Sequence, residues 1–369
     1  MNIHVNPADA TKRDSRVGLA IADGDIHPGL KDAKALHPYL AKRWQDHLDT
    51  YGLIPRHAYQ AGPAYPKGNP DASRRDAYPP EGGKPGSSLS FMRAQHLDPN
   101  NVELGILNPI APTPGNAQNP DLAVAMSRAL NEWQIAEWTS QEPRLKGSII
   151  PPYEDGAESA KEIEHWAGHP DFVQVLLLSR TCEPLGRRRY WPIFEACANA
   201  NLPLAIHAFG YGGNPITSGG WPSFYIEEMS GHSQCCQALL ASVVLEGVFE
   251  RFPNFKMILV EAGFAWLPAL AWRLDKHWEK LRSEIPHLKR PPSEVIREHV
   301  WLTTQPMEEP DQRRHLMDTW DWIGHDRLIF ATDYPHWDYD EPAEALPIRL
   351  DDDSRAKLFR ENARSVYGC

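Results

Sequence analysis

The 369-residue sequence predicts a single (β/α)8 barrel, and three observations predict it. Eight short apolar segments recur along the chain. Amphipathic stretches separate most of them. Four of the eight segments end in side chains capable of metal binding or proton transfer. Parallel strands covered on both faces read as near-continuous apolar runs. Strands alternating with helices imply right-handed βαβ units, which close into a barrel at eight repeats. An open, doubly wound sheet is the structural competitor, but it does not gather polar residues at the ends of four strands. Length alone suggests two or three domains, yet barrels of this kind run longer than the usual domain.

The expected strands are 17–26, 104–108, 145–150, 172–178, 202–207, 255–261, 300–303 and 328–333. Helical periodicity is carried by 121–139, 157–166, 188–200, 234–252, 264–282, 310–322 and 354–367. Two segments break the rhythm. Residues 54–90 are crowded with Pro, Gly, Ser and Tyr and read as a long insertion after the first strand, either a lid or a surface arm. Residues 208–231, rich in Gly and Trp, follow His207 directly and are expected to form an irregular wall of the pocket.

Composition excludes several classes. The net charge of −11, from 49 acidic and 38 basic residues, argues against a nucleic-acid partner, which demands a basic stripe. An acidic small-molecule substrate remains compatible, because a pocket can be locally positive. The five cysteines (Cys182, Cys197, Cys235, Cys236, Cys369) have no framework spacing. The first twenty residues lack the apolar stretch of a secretory signal, and no apolar run approaches the roughly 20 residues of a membrane span. A reducing cytoplasm is the expected home.

In a (β/α)8 barrel the site lies at the C-terminal ends of the strands. The first strand ends Asp23-Gly24-Asp25-Ile26-His27, and the strand period of two sends Asp23, Asp25 and His27 to one face. A carboxylate and an imidazole two residues apart can grip one divalent ion. The fifth strand ends in His207, the sixth in Glu261 and the eighth in Asp333, followed by Tyr334-Pro335-His336. Each of the four has a plainer reading: loop residues capping the next helix for D-x-H, a core histidine, a carboxylate paired with Arg180, a helix cap. Together those readings require four coincidences at one end of one barrel.

The D-x-H opening, the strand-five histidine and the T-D-Y-P-H of strand eight resemble the amidohydrolase-related family typified by aminocarboxymuconate semialdehyde decarboxylase. So do the segments F-P-N-F-K-M-I-L-V-E-A-G-F-A-W-L-P and E-N-A-R-S-V-Y-G. The likeness runs from about Gly18 to the end, apart from the insertion. It implies that His27, His207 and Asp333 are metal ligands, with Asp25 at a position where relatives usually carry His or Glu. Glu261 stands where many relatives place a catalytic histidine. The resemblance also implies a homodimer.

Two imidazoles with one or two carboxylates suit zinc, and also manganese, whose preference for oxygen is stronger. A bound divalent ion lowers the pKa of water to roughly 7. The main expectation is therefore hydrolysis of a small carbonyl or carboxylate compound, with Asp333 taking the proton from water and Glu261 a second acid/base. Non-oxidative decarboxylation is the first alternative, in which the ion holds a carboxylate and a protonated side chain delivers a proton to carbon. A catalytically inactive barrel used as a binding subunit is the second. Arg180, Arg93, Arg56 and His336 are candidate substrate-binding residues, since guanidinium pairs bidentately with carboxylates. Tyr211, Trp221, Phe264, Trp266, Tyr334 and Trp337 would suit a planar acid, and His232 and His299 read as structural.

Overall fold

The eight apolar segments form eight parallel strands: β1 (Ile21–Ile26), β2 (Val102–Leu107), β3 (Leu145–Ile149), β4 (Phe172–Leu178), β5 (Leu204–His207), β6 (Met257–Val260), β7 (Val300–Thr303) and β8 (Leu328–Ile329). They are hydrogen-bonded in sequence order from β1 to β8. The computed structural model describes residues 19–52, 72–114, 119–210 and 215–369. Nearly every strand residue is buried, as strands sandwiched between barrel interior and helices must be.

The seam between β8 and β1 decides whether the sheet closes. Gly24 N–H donates to the Phe330 carbonyl at 2.9 Å and His27 N–H to the Tyr334 carbonyl at 2.7 Å. A Cβ on Gly24 would lie 2.9 Å from Ile329 Cγ2, so any larger residue would push the seam apart. Asp23 fastens the same seam from inside. Its carboxylate accepts from Thr332 N–H (3.0 Å), Thr332 Oγ1–H (2.6 Å) and Asp25 N–H (3.1 Å), and lies 2.8 Å from His96 Nε2. The side chains of Asp23, His96 and Thr332 are fully buried. Asp23 is thus a structural clamp, although it shares a strand face with Asp25 and His27.

That clamp makes a stability prediction. Asp23→Ala leaves these donors buried without an acceptor and should lower unfolding free energy by about 3–5 kcal/mol. Chemical denaturation measures it, and a loss under about 1 kcal/mol would show that the seam holds without the carboxylate.

Helices cover the barrel where the periodicity placed them, with familiar starts. Asn119 Oδ1 accepts from Leu122 N–H ahead of Pro120–Gln134, and Asp155 Oδ1 accepts from Ala157 and Glu158 N–H ahead of Gly156–Trp166. Two helices of eight residues or more, Lys42–Tyr51 and Pro292–His299, have no counterpart among the expected helices. The first buries only Trp44 and Leu48, too thin a stripe to register. The expected irregular wall 208–231 is corrected at its far end, because Tyr225–Leu245 is one continuous helix. Its opening turn is exposed at Ile226, so no buried face marks it in the sequence. Strand eight is also shorter than expected: beyond Ile329 the backbone peels off β7, with Phe330 N–H bonded to the Leu358 carbonyl and Asp333 at φ 61°.

The described part of the insertion packs against the barrel mouth. Ser73 bridges His336, Arg74 N–H donates to the Pro335 carbonyl, and Trp337 N–H to the Ala72 carbonyl. Gly86, at φ 75°, has its Cβ position 2.3 Å from the His27 carbonyl oxygen, an approach that only glycine allows. Among the described residues, no helix is long and apolar enough to cross a membrane.

Candidate metal centre and active site

Strand ends bring Asp25 and His27 (β1), His207 (β5), Glu261 (after β6) and Asp333 (after β8) to one point at the C-terminal mouth. His27 Nδ1–H donates to the Asn108 carbonyl at 2.7 Å, which turns Nε2 and its lone pair inward. His207 is held in the same way by the Ala208 carbonyl. His27 Nε2 then lies 2.9 Å from Asp333 Oδ1 and 3.2 Å from Asp25 Oδ1. His207 Nε2 lies 3.3 Å from Asp25 Oδ2 and 3.4 Å from Glu261 Oε2. In none of these contacts do His27 Nε2, His207 Nε2 and Asp25 Oδ2 attain hydrogen-bond geometry, so three buried polar atoms converge without partners. Inward lone pairs facing carboxylate oxygens repel one another unless a proton or a cation lies between them. The donor atoms of Asp25, His27 and His207 lie within 4.8 Å of one another, a spacing that fits one divalent ion.

The electrostatics agree. Burial alone would push Asp25 up and His27 down. The facing charges of His27 and His207 overcome this and hold Asp25 well below the carboxylate range. Asp25, with Asp333, pulls His27 up. Glu261 goes the other way: burial, then the charges of Asp333, Asp338 and Asp25, push its carboxyl well above the usual range. Both Glu261 (φ 54°) and Asp333 (φ 61°) sit in left-handed backbone, a conformation that costs about 1 kcal/mol or more in a non-glycine residue. The turn swings each carboxylate from its strand end into the mouth.

His336 joins the cluster, its Nδ1 2.6 Å from Asp333 Oδ1 and its ring stacked on His27 at 4.3 Å. Arg180 also reaches the mouth, with Nη1–H donating to the Gly210 carbonyl at 2.8 Å. Arg93 does not. Its Nε–H donates to Glu142 at 2.7 Å at the entry to β3, the opposite end of the barrel. It holds that end together, and its assignment to substrate binding is corrected. Arg56 and Tyr211 lie outside the described residues. Tyr334 and Phe264 are buried in packing, while Trp221 and Trp337 are partly exposed.

Several site residues escaped sequence reasoning. Asn108, at the end of β2, donates from Nδ2 to Asp25 Oδ1 at 2.9 Å while its carbonyl fixes His27. Its Oδ1 accepts from Ser148 (3.0 Å) and Gln174 (2.8 Å) inside the barrel. Its signal was present: a polar residue ending an apolar strand. Gln305 Nε2 contacts Asp333 Oδ2 at 3.4 Å and the Asp338 carbonyl at 3.1 Å. Asp338 lies close enough to Glu261 and Asp333 to form a second possible ligand group, and burial followed by Asp333 pushes it up to about 7. The dense acids of D-Y-P-H-W-D-Y-D were its only sequence trace.

A parallel eight-stranded barrel with two imidazoles and several carboxylates converging at its mouth defines a barrel enzyme with a metal-binding centre. The chain belongs to the amidohydrolase family, whose model matches residues 4–369. A γ-resorcylate decarboxylase of Polaromonas sp. is 26% identical over 74% of this chain and 86% of its own length. The 2-amino-3-carboxymuconate-6-semialdehyde decarboxylase of Dictyostelium discoideum is 23% identical over 66% of each chain. Among solved structures, a dihydroxybenzoic acid decarboxylase from Polaromonas sp., with bound manganese and 2-nitroresorcinol, superposes with a TM-score of 0.65 at 20% identity, covering 95% of this chain and 97% of that one. A 5-carboxyvanillate decarboxylase from Novosphingobium aromaticivorans, with manganese and 4-hydroxy-3-methoxy-5-nitrobenzoic acid, gives 0.71 at 18%, covering 96% and 97%. At these identities the structural likeness establishes the fold.

These relatives overturn the hydrolase expectation. Glu261 in place of a histidine favours water activation, yet the γ-resorcylate and aminocarboxymuconate semialdehyde relatives, matched over 66–76% of this chain, are decarboxylases. One substituted side chain is weak evidence, because a carboxyl held protonated by its surroundings can serve as an acid as readily as a carboxylate serves as a base. The inactive-scaffold alternative falls with the same comparison. A single divalent ion fits the site.

Proposed function

We propose that this protein is a metal-dependent, non-oxidative decarboxylase of a small planar carboxylic acid. The observation that carries the reading is the convergence of Asp25 Oδ2, His27 Nε2 and His207 Nε2, buried and unpartnered, beside a Glu261 carboxyl held up by its neighbours. The named activities of the matching relatives supply the reaction class. Asp25, His27, His207 and Asp333 would hold the ion. When bound, it supplies positive charge to substrate oxygens and offsets the negative charge that builds as the carbon–carbon bond breaks. Two carboxylates in the donor set, together with manganese in both solved neighbours, make Mn2+ the first ion to load and Zn2+ the comparison.

Glu261 is assigned the proton. As the bond to the carboxyl group breaks, its electron pair stays on the substrate carbon, CO2 leaves, and Glu261 delivers its proton to that carbon. Burial and the carboxylates around it push the Glu261 carboxyl well above the usual range, which favours its acid form. His336, stacked on His27, is assigned contact with the substrate. Asp333 then has no water to deprotonate. Its role is to complete the donor set, oriented by His336 and Gln305. A cytoplasmic location and a homodimer accord with this reading.

The test is CO2 release from 2,6-dihydroxybenzoate, 5-carboxyvanillate and 2-amino-3-carboxymuconate 6-semialdehyde by the Mn2+-loaded protein. Release from at least one acid is expected, lost on chelation and restored by Mn2+. A protein that holds its metal and releases CO2 from none of them would overturn the reading.

A further inference from the structure

Two buried polar groups at the mouth have no partner and no part in the metal centre. Tyr153, just after β3, is 2% exposed, and its hydroxyl makes no hydrogen bond. His232, on the helix Tyr225–Leu245, is 5% exposed, and its Nδ1 is likewise unpaired. Sequence reasoning set His232 aside as structural. A structural histidine in this barrel looks different: His299 has Nδ1 bonded to the Phe255 carbonyl at 2.9 Å and its ring stacked on Phe249. An unpaired buried polar atom costs about 1–3 kcal/mol, and a ligand that partners it accounts for its retention.

Both groups lie at the end of β4: Tyr153 shares a recess with Leu178, and the His232 ring lies 6.2 Å from that of Phe209, whose N–H donates to Ser179 Oγ. The guanidinium of Arg180 lies close enough to bias the ionisation of Tyr153 and of His232. Cys235, one turn further along the helix, fixes this placement by contacting the Ser179 carbonyl through Sγ at 3.6 Å. Tyr153 lines a narrow recess with Pro109, Ile150, Leu176 and Leu178, and Thr113 Oγ1 in the same recess is buried and unpaired.

Charge divides the mouth. Glu261, Asp333, Asp338 and Asp340 crowd the β6–β8 side, where burial followed by Asp333 pushes both Asp338 and Asp340 up to about 7. The β3–β5 side offers hydroxyls, an imidazole and the Arg180 charge, and its nearby carboxylate, Glu154, is paired with Arg189 at 3.3 Å and accepts from the Tyr190 hydroxyl at 2.8 Å. Burial keeps the Tyr153 phenol protonated. Burial, then His207 and Arg180, push His232 down to about 4, so its imidazole is neutral and can donate from Nδ1. A cation at the metal centre pushes His232 the same way.

We propose that Tyr153 and His232 are substrate-binding residues, which together receive an anionic oxygen substituent of the substrate on the β3–β5 side of the metal centre, with Arg180 offsetting its charge. This deepens the decarboxylase reading and rests on it only for what happens to the bound acid. It makes the substrate a planar acid carrying an oxygen substituent in addition to its reacting carboxyl group.

The test uses 2-nitroresorcinol and 2,6-dihydroxybenzoate, titrated calorimetrically into the Mn2+-loaded wild type, Tyr153→Phe and His232→Asn. Mn2+ affinity and thermal midpoint are measured on each protein beside it. Each variant should bind both probes about 10-fold more weakly, the value of one hydrogen bond, with Mn2+ affinity unchanged. Tyr153→Phe should melt no lower than wild type, because it removes a hydroxyl that has no partner. Unchanged probe affinity in that variant overturns the proposal. So does an equal loss of Mn2+ affinity, which would place the residues in the metal centre, and so does a wild type that binds neither probe at about 10 mM. If the probes bind through these residues and no acid loses CO2, the decarboxylase reading fails while this one stands.

Discussion

His207→Ala should strip the protein of its metal and lower turnover by about 1,000-fold or more. His207 is fully buried, its Nδ1 is tied to the Ala208 carbonyl, and Nε2 faces Asp25 Oδ2 and Glu261 Oε2 at 3.3 and 3.4 Å. The substitution deletes one of the two inward imidazoles and leaves two carboxylates facing each other across the gap. Metal content by mass spectrometry, on wild type and variant purified without added metal, reads the result directly. A variant that keeps stoichiometric metal would move the centre to one of the other two groupings, His27–Asp333–His336 or Glu261–Asp333–Asp338.

Glu261→Gln should keep the metal and lose the chemistry. The amide preserves the shape of the side chain and its contact toward His207, but it cannot give up a proton at any accessible pH. Removing a general acid costs about 100- to 10,000-fold in rate. The loss should fall on kcat with KM nearly unchanged, because the group acts on the carbon that loses CO2. Single-turnover CO2 release with the best acid of the panel measures it. A variant that turns over within about threefold of wild type would remove Glu261 from proton delivery and turn attention to Asp338, a half-buried carboxyl beside Asp333 pushed up to about 7.

The site was legible in the sequence to the extent that it was carried by strand ends. Asp25, His27, His207, Glu261 and Asp333 each terminate or directly follow an apolar run, and a barrel places all such positions at one mouth. Asn108 obeyed the same rule and was passed over, because an amide is a poor metal ligand. Its importance lies in holding Asp25 and His27 rather than in binding the ion. Arg93 shows the converse. Its guanidinium suited a substrate carboxylate, but nothing in its neighbours' identities told which end of the barrel it would occupy. Asp338 and His336 belong to a loop without period, where sequence spacing carries no direction.

By itself, then, the sequence determined the barrel and the ring of polar strand ends, because both follow from periodicities that the backbone imposes locally. It did not determine the reaction: a buried glutamate reads as a base or an acid depending on the charges around it. Only the tertiary structure, by burying Glu261 and setting Asp333, Asp338 and Asp25 against it, pushes its carboxyl well above the usual range. The same is true of His232. Its helix could have turned the imidazole into packing, as the Pro292–His299 helix does with His299. The fold instead buries it beside His207 and Arg180 with Nδ1 unpartnered, a placement that arises from contacts between elements far apart in the chain.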